Sequence, residues 1–192
     1  MTTLSNSNFQ IRASHELAEI RDEILDLATD RDVYWKVQRE VIQRNPRLLG
    51  THNPFWDMLN DAYAHATASR VRRLIDRDNR VISLRRLIET LVDHPDLFAG
   101  KMSVESLKDD LARLDRTCEK VKGYVDQFVA HHQRNSSAAL PTHRELNEAV
   151  DALIETFRKY YAVINGADIE VVVSYLEEPL AIFRFPWIES GT

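Results

Sequence analysis

Apolar residues recur along this chain at the three- and four-residue spacing of helices that each bury one face. The first stripe runs through Leu17, Ile20, Ile24 and Leu27, and similar stripes continue as far as Tyr161. The pattern predicts an all-α fold of about six helices: 15–28 behind a Ser14 cap, one from Asp30 to just before Pro46, 54 to about 77, one from Ser83, 103–132, and 142–165.

Local start and stop signals fix several of these helix ends. Pro54 follows an asparagine and suits the first helical position. Thr142 and Glu145 have the spacing of a capping box, in which each side chain satisfies an otherwise free backbone N–H. Gly166 is placed to close the final helix. These signals locate the helix ends more precisely than the apolar stripes do.

The two ends of the chain carry weaker signals. Residues 1–13 are expected to be disordered, and residues 169–175 fit either a strand or a short helix. No repeat, linker or low-complexity segment divides the 192 residues, which predicts a single helical domain over 1–192. Residues 167–192 are expected to form a short C-terminal extension that packs on the bundle through its aromatic residues: Phe183, Phe185 and Trp187.

Composition narrows the classes of function. Charged residues make up 29% of the chain and glycine occurs only 5 times, as in a soluble helical protein. The formal charge of −5 argues against a generally basic nucleic-acid surface but leaves a local basic patch open. Cys118 is the only cysteine, which excludes an intramolecular disulfide and a cysteine-based zinc site and favours a core position. With no signal peptide and no membrane-spanning run, we expect a cytoplasmic protein.

Two adjacent histidines end the fifth predicted helix. On a helical wheel His132 falls near the centre of the apolar stripe, and His131 falls at its edge. An edge position beside a helix end lets an imidazole meet both solvent and a substrate. The alternative is that both side chains only cap the helix, because an imidazolium interacts favourably with the dipole at a helix C-terminus.

An arginine-rich segment on the third predicted helix is the second candidate for chemistry. Arg70, Arg73 and Arg77 share one face of that helix. A planar guanidinium suits phosphate oxygens, so the segment is a candidate RNA-binding patch. The alternative is a solvated face with internal ion pairs, each of which contributes little to stability.

Other polar and aromatic residues are weaker signals. Asp109 and Asp110 are expected on a solvated face. No histidine lies at ligand spacing from the carboxylates of the first helix, and no glycine-rich phosphate loop is present, so we expect neither a metal nor a cofactor. Three large aromatic residues are expected to be core or interface anchors: Trp35, Phe55 and Trp56.

Taken together, residues 30–166 resemble the HEPN superfamily, and within it the abortive-infection U-type branch. The resemblance implies a helical bundle that dimerises and forms a cleft between the two copies, where RNA is cleaved without a metal. It depends on the order and spacing of these segments: Asp-Val-Tyr-Trp at 32–35, Phe-Trp at 55–56, Ala-Ser-Arg-Val-Arg-Arg-Leu-Ile-Asp at 68–76, Ile-Ser-Leu-Arg-Arg-Leu at 82–87, Asp-Gln-Phe-Val-Ala-His at 126–131, Pro-Thr-His-Arg-Glu-Leu at 141–146 and Arg-Lys-Tyr-Tyr at 158–161.

The family motif is an arginine followed a few residues later by a histidine. The resemblance assigns His131 as the general base or acid, while the arginine would stabilise charge on the phosphate. The arginine position corresponds to Tyr124, Val125 or Asp126, and none of these residues is cationic. Loss of one such donor typically costs about 10²–10³ in rate. Three cations are candidates to replace it: Lys122, Arg134 and Arg73.

Three hypotheses follow from this gap, and each expects a homodimer. The preferred one is a degenerate site in an RNA-binding or regulatory module of a prokaryotic defence or toxin–antitoxin-type system. The second is an active metal-independent endoribonuclease, which a basic cleft at His131 would favour. The third is a dimeric scaffold for a protein partner from the same system, which an apolar groove beside Trp35 and Trp56 would favour. Four residues are the candidate RNA contacts: Arg70, Arg73, Arg77 and His132.

Overall fold

Five α-helices form the described part of the molecule, which confirms the prediction of an all-α bundle. The computed structural model describes residues 6–45, 54–95, 101–129 and 140–184, and no strand occurs within these ranges. The elements are α1 (Asn6–Lys36), π1 (Val37–Ile42), α2 (Pro54–Leu74), α3 (Leu84–Asp93), α4 (Val104–Tyr124), π2 (Val125–Val129), α5 (His143–Asn165) and a 3₁₀ turn (Ala181–Arg184).

Helix α1 corrects two predictions at the N-terminus. The expected break at Asp30 does not exist, since the helix continues from Asn6 to Lys36 and then passes into π1, where each turn is wider. The expected disorder of residues 1–13 is also wrong from Asn6 onward, because Phe9 and Ala13 are buried and extend the apolar stripe. Ser14 does not cap a helix, and its hydroxyl instead donates to Oδ1 of Asn165, 2.9 Å away.

One hydrophobic core joins the five helices. Helix α5 packs against α1, α2 and α4, and α4 also contacts α2 and α3. The predicted stripe of α1 is buried, and Cys118 lies fully buried among the core residues of α4, as expected. Burial raises the pKa of the Cys118 thiol to about 12. The prediction of a single domain extends to residues outside the described ranges and stays a prediction.

The helix starts predicted at Ser83, Ser103 and Thr142 form as capped ends, unlike the starts predicted at Ser14 and Asp30. The Ser83 and Ser103 hydroxyls each accept a backbone N–H at the start of α3 and α4. The capping box of α5 is complete: Glu145 N–H donates to Thr142 Oγ1, and the Glu145 carboxylate accepts the Thr142 N–H. Gly166 then ends α5 with φ 70°, the left-handed conformation that favours glycine.

The C-terminal extension crosses the bundle without forming the expected regular element. Residues 168–175 form neither a strand nor a helix. Val171 packs against the core, and the Tyr175 hydroxyl donates to the Asp32 carboxylate on α1. Phe183 lines a cavity beside the end of π1. Phe185 and Trp187 lie outside the described residues. Within the described ranges, no helix is both long and apolar enough to cross a membrane.

Asp110 corrects the expectation of a solvated acidic face. Asp109 is exposed, but Asp110 on the adjacent face of α4 is buried. The Asp110 carboxylate accepts hydrogen bonds from Lys159 Nζ at 2.6 Å and from the Tyr160 hydroxyl at 2.8 Å. Burial and the hydrogen bond to Asp110 raise the pKa of Tyr160. The contacts of Asp110 with Lys159 and Tyr160 therefore hold α4 and α5 together.

Candidate functional site

The turn that leads toward the candidate histidines is the part of the site that the structure describes. His131, His132 and Arg134 lie outside the described residues. Helix α4 ends at Tyr124 and passes directly into π2, so the positions matching the motif arginine lie at this junction. The described geometry therefore concerns what surrounds those positions.

Asp126 is the centre of an ion-pair network at this junction. Its carboxylate lies 2.7 Å from Nε of Arg72 on α2 and 2.8 Å from Nζ of Lys122. Arg72 also pairs with Asp76 at 2.8 Å. Burial opposes ionisation of Asp126, but hydrogen bonds from Lys122 and Arg72 outweigh it and lower its pKa. An anion thus occupies one of the three candidate positions of the motif arginine and binds two cations.

A tyrosine–histidine pair lies beside this network. The Tyr124 hydroxyl is 2.8 Å from Nδ1 of His65, an exposed residue of α2. Burial and the nearby Asp61 carboxylate raise the pKa of Tyr124. His65 and Arg72 are seven positions apart on α2, which places them on one face. That face contributes two side chains to the junction that the sequence interpretation did not single out.

The arginines proposed as an RNA-binding patch face two different directions. Arg73 pairs with Glu23 on α1 at 2.6 Å, and Arg70 pairs with Asp26, also on α1, at 2.6 Å. Arg77 instead pairs with Asp115 on α4 at 3.1 Å. The structure brings Arg70 and Arg73 together, but against the carboxylates of α1 and not at the α4–π2 junction. Among the three cations proposed as substitutes, only Lys122 is described at that junction.

Comparison with known families identifies the family to which this fold belongs. The family model of the AbiU2 HEPN proteins matches residues 14–180, which is most of the chain. The chain belongs to the AbiU2 family of HEPN proteins. It is therefore an abortive-infection-type HEPN protein, as the order of the sequence segments indicated. No curated protein and no solved structure gives a significant match.

In this AbiU2 protein, cations reach the motif turn but are not free. Arg72 and Lys122 share the Asp126 carboxylate, and Arg72 also binds Asp76. A phosphate entering here would compete with carboxylates already at hydrogen-bonding distance, and their negative charge would repel it. As described, the junction does not offer an unpaired guanidinium to a developing phosphate charge.

The groove beside Trp35 differs from the apolar groove that a protein scaffold would favour. It is a cavity of about 500 Å³ between α1, α5 and residues 171–173. Charged side chains from α1, π1 and α5 line it, including Arg31, Arg39 and Asp151. Trp56 is not among the lining residues, and its indole N–H is buried without a hydrogen-bond partner among the described residues. Phe55 remains 40% exposed.

Proposed function

We propose that this AbiU2 protein is a catalytically degenerate HEPN module of a prokaryotic defence or toxin–antitoxin-type system. It binds RNA or regulates a component of that system, and it does not cleave RNA. The proposal also includes a homodimer, which the family resemblance implies. No cofactor or metal enters the proposed role.

The ion pairing of Asp126 is the observation that carries this proposal. In the motif, the arginine position supplies positive charge to the reacting phosphate. Here one of the three positions that match the arginine is a carboxylate, Asp126, and Arg72 and Lys122 are the cations that bind it among the described residues. Moving a guanidinium from a carboxylate to a phosphate exchanges one ionic bond for another, so little is gained for transition-state stabilisation.

RNA cleavage by the purified protein in the presence of a chelator tests the proposal. We expect the wild-type protein and a His131→Ala variant to leave a labelled RNA equally intact. A mobility-shift assay on the same samples measures binding separately from cleavage. Metal-independent cleavage that His131→Ala abolishes would refute the degenerate-site proposal.

An active endoribonuclease is the second candidate, because Arg72 reaches the motif turn from α2. In that mechanism His131 would take the 2′-hydroxyl proton and Arg72 would replace the missing arginine. Arg72→Gln would then lower the cleavage rate by about 10²–10³. Arg80→Gln is the matched control, since Arg80 is 84% exposed and pairs only with Asp78 among the described residues. Equal rates in both variants would exclude Arg72 as the cation.

The homodimer is tested independently by sedimentation velocity. A single species at twice the chain mass of 22.2 kDa is the expected result. A monomer at micromolar concentration would contradict the dimer while leaving the proposal about Asp126 intact, because that network lies within one chain.

A further inference from the structure

The groove beside Trp35 is separate from the α4–π2 junction and has features of a ligand site. We propose that it binds one nucleotide of a single-stranded RNA, with the base against the Trp35 indole and a phosphate at Arg39. This inference rests on the proposed RNA binding and names the surface through which it occurs. It does not depend on cleavage or on His131.

The size and the walls of the groove suit a nucleotide. Its volume of about 500 Å³ lies within the range of ordinary small-molecule sites. The walls combine an aromatic ring with both charged and apolar side chains, including Ile154 and Val171. A nucleotide likewise presents a flat aromatic face beside a charged group. A purely apolar helix from a protein partner would leave the charged walls unsatisfied.

Trp35 is held in place as a stacking surface. Its indole N–H donates to Oδ1 of Asn147 on α5 at 3.3 Å. Tyr34 and His143 make edge-on contacts with the ring, with centroid distances of 5.3 and 5.7 Å. These contacts fix the orientation of the indole before a ligand arrives, so that stacking loses little side-chain entropy. The ring still lines the groove.

Among the described residues that line the groove, one cation forms no ion pair. Arg31 pairs with Asp151 across the groove, and Asp32 is occupied by Lys36 and by the Tyr175 hydroxyl. Arg39 is exposed and makes no hydrogen bond or ion pair with any residue that the structure describes, although its charge helps to lower the pKa of the nearby Asp32 carboxylate. An anionic group is therefore the complementary ligand for Arg39, and arginine binds phosphate well.

Asn147 adds a hydrogen-bond donor for the base. Its side-chain oxygen accepts from Trp35, which fixes the amide orientation and leaves its NH₂ group as a donor. That group makes no hydrogen bond within the described residues. An indole face, an amide donor and an unpaired guanidinium thus line one groove, and single-stranded nucleic acids are commonly bound by an aromatic stacking surface beside positive charge.

Fluorescence anisotropy with a labelled single-stranded RNA of about ten nucleotides tests this inference. Trp35→Leu should weaken binding at least about fivefold, whereas Trp35→Phe, which keeps an aromatic ring, should weaken it less. Arg39→Gln should reduce the slope of log affinity against log salt by about 0.7, the loss of one phosphate contact. Trp35→Leu should leave that slope unchanged, as should the distant control Arg80→Gln.

The outcomes separate failure of the groove from failure of RNA binding. Wild-type affinity in both Trp35→Leu and Arg39→Gln would overturn the groove and leave RNA binding elsewhere on the protein. No binding by the wild-type protein would overturn the groove together with the RNA-binding proposal. If a free mononucleotide bound as tightly as the RNA, the ligand of the groove would be a mononucleotide and not an RNA strand. Circular dichroism checks that each variant is folded. Because Arg39 is exposed, Arg39→Gln should fold normally, and its salt dependence tests the groove even if Trp35→Leu unfolds.

Discussion

A single buried carboxylate, Asp110, gives the clearest prediction at the scale of one residue. Its loss leaves the hydroxyl of the fully buried Tyr160 without an acceptor and Lys159 without its carboxylate. Asp110→Ala should therefore lower the free energy of unfolding by about 2–4 kcal/mol. Urea denaturation measures the change.

Asp109→Ala is the matched control for that experiment, because it removes the same charge from an exposed neighbour. Its effect should stay within about 0.5 kcal/mol. Equal losses in the two variants would show that net charge, and not the buried network, determines the stability at this place.

At the scale of single residues, the sequence predicts only part of the candidate site. The gap in the motif at Tyr124, Val125 and Asp126 could be read directly from the chain. The sequence does not show which neighbouring arginine reaches this gap, because the side chains of adjacent helical residues point about 100° apart. Arg73 was proposed, but Arg72 contacts Asp126. The answer depends on how α2 rotates against α4, which only the packed bundle determines.

At the scale of elements, two glycines predict opposite effects of the same substitution. Gly123 lies inside α4, and a β-carbon added there meets no atom within 4 Å. Gly123→Ala should raise the free energy of unfolding by about 0.5–1 kcal/mol, because alanine loses less backbone entropy in a helix. Gly166→Ala should lower it by roughly 1 kcal/mol, since alanine is strained at a φ of 70°.

Thermal unfolding of the two variants under identical conditions checks this pair. The midpoint should move up for Gly123→Ala and down for Gly166→Ala. A downward shift for both would mean that the end of α4 needs the flexibility of glycine where it passes into π2.

The start of α5 predicts a pH dependence. Hydrogen bonds from Lys120 and from the Thr142 backbone lower the pKa of Glu145 to about 2, against an ordinary value of 4.5. A depressed pKa in the folded state stabilises the protein above pH 4.5, and this contribution disappears as the pH falls through about 2. Glu145→Gln keeps a capping group but does not titrate.

The expected result is a stability difference between wild type and Glu145→Gln that is largest above pH 4.5 and shrinks toward pH 2. Unfolding midpoints over a pH series measure it. Glu148→Gln, on the next turn of α5 and 58% exposed in its side chain, serves as the control and should show a smaller change. A constant difference for Glu145→Gln at all pH values would contradict the role of the ionised carboxylate.

Elements with strong local signals could be predicted, and those determined by tertiary contacts could not. The capping box at Thr142 and the helix start at Ser83 formed where their sequence patterns placed them. Asp30 has a capping side chain too, but it lies inside α1 and faces Arg70 on α2 at 3.5 Å. No glycine or proline interrupts the chain between Asn6 and Ile42, so nothing local forces a break there.

For the whole molecule, charge pairing between helices explains why an arginine-rich segment exists in an acidic protein. Arg70 and Arg73 meet Glu23 and Asp26 across the α1–α2 contact. The segment therefore joins two helices of the bundle, whatever it contributes to RNA binding. The unpaired Arg39 lies elsewhere, near the end of α1, where the sequence showed no cluster of positive charge. Pairing, which the sequence does not reveal, decides which cations are available to a ligand.

The distribution of burial predicts a hierarchy of local stability across the molecule. Helix α5 contacts three other helices and contributes many fully buried side chains, including Leu153 and Phe157. Residues 168–175 form no regular element and are held by side-chain contacts, such as the bond from Arg158 Nε to the Ile169 carbonyl. Amides in α5 should therefore exchange only through opening of the bundle, whereas those of 168–175 exchange through local release.

Hydrogen exchange followed by mass spectrometry measures this difference. We expect α5 to be the slowest segment to exchange. A denaturant concentration well below the unfolding midpoint should leave the exchange rate of residues 168–175 almost unchanged. Equal protection of the two segments would mean that the extension unfolds together with the core, as an integral layer of the bundle.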